Sequence, residues 1–161
     1  MSAPLVLDPA VPLHALALER LESEEVGWLG TAGRDGFPHA VPVWFLWIDG
    51  TVVVFVQPRS VKARNLAADP RAVFHLQTEW DGENVQVLQG TAEFSPEPTA
   101  VWLERHRAAY LEKYQAGLDR LQWTIDRVID QYTLAVVLRP HKLISWAPDR
   151  PLAASRSEGA R

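Results

Sequence analysis

Residues 42–66 read PVWFLWIDGTVVVFVQPRSVKARNL, and the order of residue types in this stretch decides the architecture. Two apolar runs rich in β-branched and aromatic side chains flank Asp49-Gly50. An Asp-Gly pair readily adopts the positive φ angles of a tight hairpin turn, so strand, turn and strand are expected. After Val56 the chain becomes abruptly polar: Gln57, Pro58, Arg59, Ser60, Lys62, Arg64 and Asn65 follow. Ser60 is placed to cap a short helix over residues 61–68, because its oxygen can accept a free first-turn amide. Asp69-Pro70 ends that helix, since a residue before proline avoids helical angles. Unpaired N–H groups, the positive end of a helix and a lysine together suit an anion, most naturally a phosphate.

Working outward, Leu13 to Glu24 has the spacing of a helix with Leu13, Leu16, Ala17 and Leu21 on one side. Val26 to Thr31 reads as a strand and residues 33–36 as a turn. Gly30, Gly33 and Gly36 are spaced G-x-x-G-x-x-G and precede a second strand. A dinucleotide loop would instead open a helix, so that reading is set aside. The second strand is expected to run unbroken from Phe37 to Ile48. Val41, Val43, Phe45 and Trp47 fall on one face; Ala40, Pro42, Trp44, Leu46 and Ile48 fall on the other. Both faces are apolar, so one covers a core and the other must meet a partner subunit, a helix or a ligand. Pro42 lacks an N–H and implies a bulge or a sheet edge.

Further along, Arg71–Glu79 and Asn84–Phe94 predict a hairpin turning at Asp81-Gly82. Leu111, Tyr114, Leu118, Leu121, Ile125 and Val128 form one helical stripe within residues 99–130, expected to break near Gly117 with Asp119 capping a second helix. Tyr132–Leu138 is a buried strand by its near-continuous apolar character, interrupted at Pro140 and resumed over Lys142–Trp146. Residues 1–12 predict an extended, loosely held arm, residues 13–147 one domain, and residues 148–161 a disordered tail. The sum is about six antiparallel strands with three or four helices, an α+β, mainly β barrel.

The chain has 161 residues, a length that supports a core without staples. It has no cysteine, which excludes disulfides and thiolate chemistry. A net charge of −4 argues against a nucleic-acid partner. No apolar run has the length of a membrane span, and Asp8 with early prolines interrupts any signal-peptide pattern. The expected compartment is the cytoplasm. No His pair or acidic cluster has zinc spacing, and no nucleophile motif occurs.

The order GWLGTAGRDGFPHAVPVWFLW, then VVFVQPRSVKARNLAADPRAVFHL, then VQVLQGTAEF, resembles the pyridoxamine-phosphate-oxidase-like split-barrel flavoproteins. More narrowly it resembles the branch that uses the deazaflavin coenzyme F-420. The resemblance is carried by P-V-W-F at Pro42–Phe45, K-x-R-N-L at Lys62–Leu66 and D-P-R at Asp69–Arg71. It implies a six-stranded antiparallel split β-barrel (the FMN-binding split barrel) with peripheral helices, and a homodimer with the cofactor at the interface. It also implies that Pro42, Val43, Trp44 and Phe45 flank the cofactor ring. Gln57, Pro58, Ser60, Lys62 and Asn65 would then hold the phosphate and ribityl region. Arg59, Arg64 or Arg71 would meet an anionic oligoglutamate tail. The implied activity is an oxidoreductase moving a hydride between reduced F-420 and a small, conjugated organic acceptor. FMN is the alternative cofactor, and a non-catalytic flavin- or tetrapyrrole-binding module the rival class. The chain lacks the C-terminal segment that completes the vitamin B6 pocket, so B6 oxidation is not expected.

Two groups of residues invite plainer readings. His39 and His75 are isolated and read as structural. Tyr110, Tyr114 and Trp123 read as helix packing, while Trp28, Trp80 and Trp102 are weaker candidates for a pocket wall. The helical region after Phe94 matches no catalytic role.

Overall fold

A computed structural model describes residues 3–148. Helix α1 spans Pro12–Ser23. Strands β1 (Val26–Ala32), β2 (Pro38–Trp44), β3 (Leu46–Ile48) and β4 (Thr51–Val56) follow. Helix α2 (Val61–Ala68) leads to β5 (Arg71–Leu76) and β6 (Val85–Phe94). A helical insert of α3 (Thr99–Arg105), α4 (Arg107–Leu121) and α5 (Ile125–Gln131) then precedes β7 (Leu134–Trp146). The strands form one antiparallel sheet in the order β2-β1-β5-β6-β7-β4-β3. Its two end strands, β2 and β3, are consecutive in the chain, so the sheet curls back on itself as a split barrel.

The described residues hold seven strands where six were expected, because the run over 37–48 is two strands broken at Phe45. The Phe45 amide donates to the Tyr114 hydroxyl at 2.8 Å, and no strand neighbour takes it. Pro42 sits on the edge strand β2, where a missing N–H costs nothing. The tight turn forms as its sequence requires, with Asp49 at φ 48° and Gly50 at φ 74°.

Two apolar clusters explain why several strands read as apolar on both faces. The first fills the barrel with Val43, Phe45, Val52, Val54, Val56, Phe74, Val136 and Leu138 among others. The second lies between the barrel wall and the insert, and combines Leu46, Val53 and Val137 with Leu103, Tyr110, Tyr114, Leu118, Ile125 and Val128. In β4, Val52, Val54 and Val56 therefore point inward while Val53 and Phe55 meet helices. The same division sends Val41, Val43, Phe45 and Trp47 to the barrel, and Trp44, Leu46 and Ile48 to the insert. Pro38, Ala40 and Pro42 remain exposed.

Three features depart from expectation. The insert has three helices, and its breaks fall at His106 and residues 122–124, not at Gly117. Gln122 closes α4 in the left-handed conformation, and Thr124, not Asp119, caps α5 by accepting from the Arg127 amide. Strand β7 runs straight through Pro140, whose ring is accommodated by a register shift opposite Gln89 and Gly90. The N-terminal arm is held, since the Leu5 amide donates to the Pro140 carbonyl and Leu5 and Leu7 pack on the barrel core. The expected tail beyond Pro148 lies outside the described residues.

Candidate functional site

A cavity of about 440 Å³ opens between the barrel and the insert. That size falls within the range of small-molecule sites. Its barrel side comes from Val26 of β1, Pro42, Val43 and Trp44 of β2, and Phe55 of β4. Lys62, in the first turn of α2, enters it as a cation. The facing wall is Tyr110 and Leu121 of α4, Trp123 of the connecting turn, Val128 of α5, and Tyr132.

Local sequence positions each wall. Trp44 is the last residue of β2, immediately before the break at Phe45. Its indole stacks on Tyr114 with centroids 4.5 Å apart and planes 8° from parallel. Gly117 permits this approach, because a Cβ there would stand 2.9 Å from the indole Cζ2. Tilted ring contacts lead on from it to Tyr110, 4.9 Å from Tyr114, and to Phe55, 6.0 Å from Tyr110. Four aromatic rings thus form one connected row beside the cavity.

The Ser60 hydroxyl is committed to folding: it accepts from the Ala63 amide and donates to the Gln57 carbonyl. Lys62 forms no ion pair among the described residues, and burial pushes its ammonium pKa below the ordinary lysine value. A half-buried cation with no counter-charge favours an anionic guest. The cavity wall contains no carboxylate.

The structure brings Pro42, Val43, Trp44 and Lys62 to one cavity, joining the strand and the helix start singled out in the sequence. Others go elsewhere. Phe45 is 2% exposed and packs edge-on against Phe74 in the barrel, with its amide and carbonyl engaged by Tyr114, so it cannot flank a ligand. Asn65 is buried, and its amide donates to Thr31 Oγ1, tying α2 to β1 instead of facing an anion. Gln57, Pro58, Arg59 and Arg64 are exposed beside the cavity residues in sequence, and Arg64 donates to the Arg59 carbonyl. Arg71 is paired with Asp69 and is thus occupied.

Trp28 stacks beside His75, Trp80 is 96% exposed, and Trp102 donates to Ser95. None of the three lines the cavity. The residues missed from sequence are those of the insert: Tyr110, Leu121, Trp123, Val128 and Tyr132. Their helical spacing is that of ordinary packing, and only the fold places them opposite β2. A second, shallower groove lies on the outer sheet face, lined by His39, His75 and His141 with Arg71.

The model of the pyridoxamine 5'-phosphate oxidase family matches residues 13–145. The chain belongs to this family. No curated protein matches it. Among solved structures, a conserved hypothetical protein from Mycobacterium tuberculosis is 25% identical with a TM-score of 0.67, over 95% of this chain and 96% of that one. An F-420 reductase is 22% identical with a TM-score of 0.56, over 78% of this chain and 94% of that one. A heme-binding protein from Mycobacterium smegmatis is 29% identical with a TM-score of 0.52, over 76% of this chain and 50% of that one. The family member described here therefore shares its fold with proteins of more than one ligand chemistry. No helix among its described residues is long and apolar enough to cross a membrane.

Proposed function

We propose that this protein is an oxidoreductase that uses coenzyme F-420 to move a hydride between the reduced deazaflavin and a small conjugated acceptor. One observation carries the reading: Lys62, a cation without a counter-ion, shares a cavity with the ring-sized apolar wall of Pro42, Val43 and Trp44. A flat group bearing a phosphate matches both features at once. FMN satisfies them too. The exposed Arg59 and Arg64 near Lys62 in sequence favour the cofactor with the longer anionic tail. The name of the F-420 reductase among the structural neighbours agrees with this choice, although at that identity the likeness itself speaks only to fold.

When bound, the deazaflavin supplies the hydride. The chain's own work is to hold and exclude. Lys62 pairs with the phosphate as a point charge. Trp44, fixed by Tyr114 and Gly117, presents a rigid edge, and the insert keeps water from the cavity. We further propose that two copies associate through the exposed face of β2, where Pro38, Ala40 and Pro42 are uncovered, in the cytoplasm. Pro42 also lines the cavity, so a copy docked there would border the ligand.

A second reading has support in the heme-binding neighbour: a non-catalytic module that stores or senses a flavin or tetrapyrrole. Titrating the purified protein separately with F-420, FMN and hemin, then supplying reduced cofactor with a panel of conjugated acceptors, separates the two. F-420 binding with turnover supports the oxidoreductase. Binding without turnover across the panel supports the module, and no binding of F-420 or FMN ends the cofactor reading.

A further inference from the structure

The sequence holds three tyrosines, and among the described residues the protein itself engages the hydroxyl of only one. Tyr114 accepts from the Phe45 amide and donates to a neighbouring carbonyl. Tyr110 and Tyr132 both line the cavity, and neither hydroxyl meets a hydrogen-bonding group of another described residue. Tyr110 is 2% exposed as a residue, but its hydroxyl is not among the fully buried unpaired atoms, and the surface it keeps belongs to the cavity wall. A hydroxyl that lines a cavity and has no partner on the protein is free to bond a guest there. The wall around them is mainly apolar, with Leu121, Val128, Phe55 and the ring of Trp123.

We propose that Tyr110 and Tyr132 form a two-hydroxyl seat for the acceptor, selecting flat apolar molecules that carry a hydrogen-bond-accepting oxygen, as in a conjugated ketone. The polar side-chain groups of the wall are the two hydroxyls, the Lys62 ammonium and the indole N–H groups of Trp44 and Trp123, and the ammonium and indoles can only donate. With no carboxylate in the wall, nothing invites a cationic or donor-rich guest. Burial, with Tyr132 nearby, raises the Tyr110 pKa, so its hydroxyl keeps its proton and acts as a donor at any working pH. The insert thus supplies a specificity element that neither the barrel strands nor Lys62 provides. The inference takes from the proposed function only the location of the acceptor.

The test measures binding, not turnover. Equilibrium dialysis of the full chain with 2-acetylnaphthalene and with 2-ethylnaphthalene compares two probes of similar shape, one with the oxygen and one without. The ketone binds roughly five- to tenfold tighter, the factor that one or two net hydrogen bonds supply. In the Tyr110→Phe, Tyr132→Phe double variant the ratio falls to about one, the ring packing being kept. Equal binding of the two probes to the unmodified protein overturns the proposal without need of any variant. So does a ratio that survives loss of both hydroxyls. Parallel titrations with F-420 and FMN keep the two conclusions apart. A ketone preference without cofactor binding sustains the seat and removes the cofactor reading, and the converse removes the seat alone.

Discussion

The Tyr114 hydroxyl lies 2.8 Å from the Phe45 amide nitrogen and 2.6 Å from the Phe45 carbonyl oxygen, at the one residue that separates β2 from β3. A side chain of the insert thus does what a neighbouring strand does elsewhere in the sheet. The same hydroxyl is 2.8 Å from the Glu25 carbonyl, so it bridges the start of β1 to the break. The break in turn aims Trp44 at the insert while Phe45 enters the barrel. Helix α4 is therefore part of the barrel's closure as well as a cover for its outer face.

Tyr114→Phe strands the Phe45 amide in a buried setting. The expected loss is about 1–3 kcal/mol of stability, the cost of an unpaired buried donor. Urea unfolding reads it directly. A variant as stable as the parent would show that the amide finds another partner.

Gly117→Ala places a methyl 2.9 Å from the Trp44 indole, which Tyr114 already backs. Overpacking of this kind costs about 1–3 kcal/mol. The displaced indole also narrows the cavity, so cofactor affinity falls along with stability. Urea melts combined with a cofactor titration check both effects.

Lys62 and Asn65 are three residues apart on α2, yet they are expected to behave differently. Lys62→Ala weakens cofactor binding by about 1.5–3 kcal/mol, the range for a hydrogen bond to a charged group. That corresponds to roughly ten- to a hundredfold in Kd. Asn65→Ala removes the bond to Thr31 and lowers stability, with affinity preserved in the molecules that remain folded. Equal affinity losses in the two variants would put Asn65 back at the ligand.

Lys113 gives the protein a pH signature. Its ammonium lies 3.8 Å from the Phe45 ring centroid and donates to the Leu21 carbonyl. Burial pushes its pKa from 10.5 down to about 8, against the opposing pull of Glu24, Glu25 and Glu22. Between those values the unfolded chain holds the extra proton, so stability rises with pH. Lys62 acts in the same sense. Above pH 10.0 the slope reverses, because burial raises the pKa of Tyr110 and Tyr114 and the unfolded tyrosines ionise first. Urea melts at about pH 7.5 and about pH 9.5 should show the rise, and Lys113→Met should flatten it. A flat profile in the parent protein would contradict the assignment.

What was legible in the sequence is what local chemistry determines. Asp49-Gly50, the Ser60 cap, the Asp69-Pro70 stop and the two-faced apolar run of β2 and β3 each have one favourable local solution, and the chain adopts it. The division of that run between two cores could be read as well, although what covers the second face could not. The misread positions answer to distant partners. Gly117 looks like a helix breaker until Trp44, far away in sequence, is found to need the space. Phe45 looks like a continuation of its strand until a tyrosine nearly seventy positions later takes its amide. Asn65 carries a phosphate-binding residue type, but the fold gives it Thr31 instead. The insert's wall residues sit at the spacing of ordinary packing, so nothing in their own neighbourhood marks them.

The placement of the cavity has an evolutionary consequence. Its floor belongs to strands whose pairings fix the whole barrel, while its ceiling is spliced in between β6 and β7. Edits to the ceiling can change what the protein accepts without disturbing any strand pairing, provided Tyr114 is kept. Relatives that share the floor are thus free to diverge in diet.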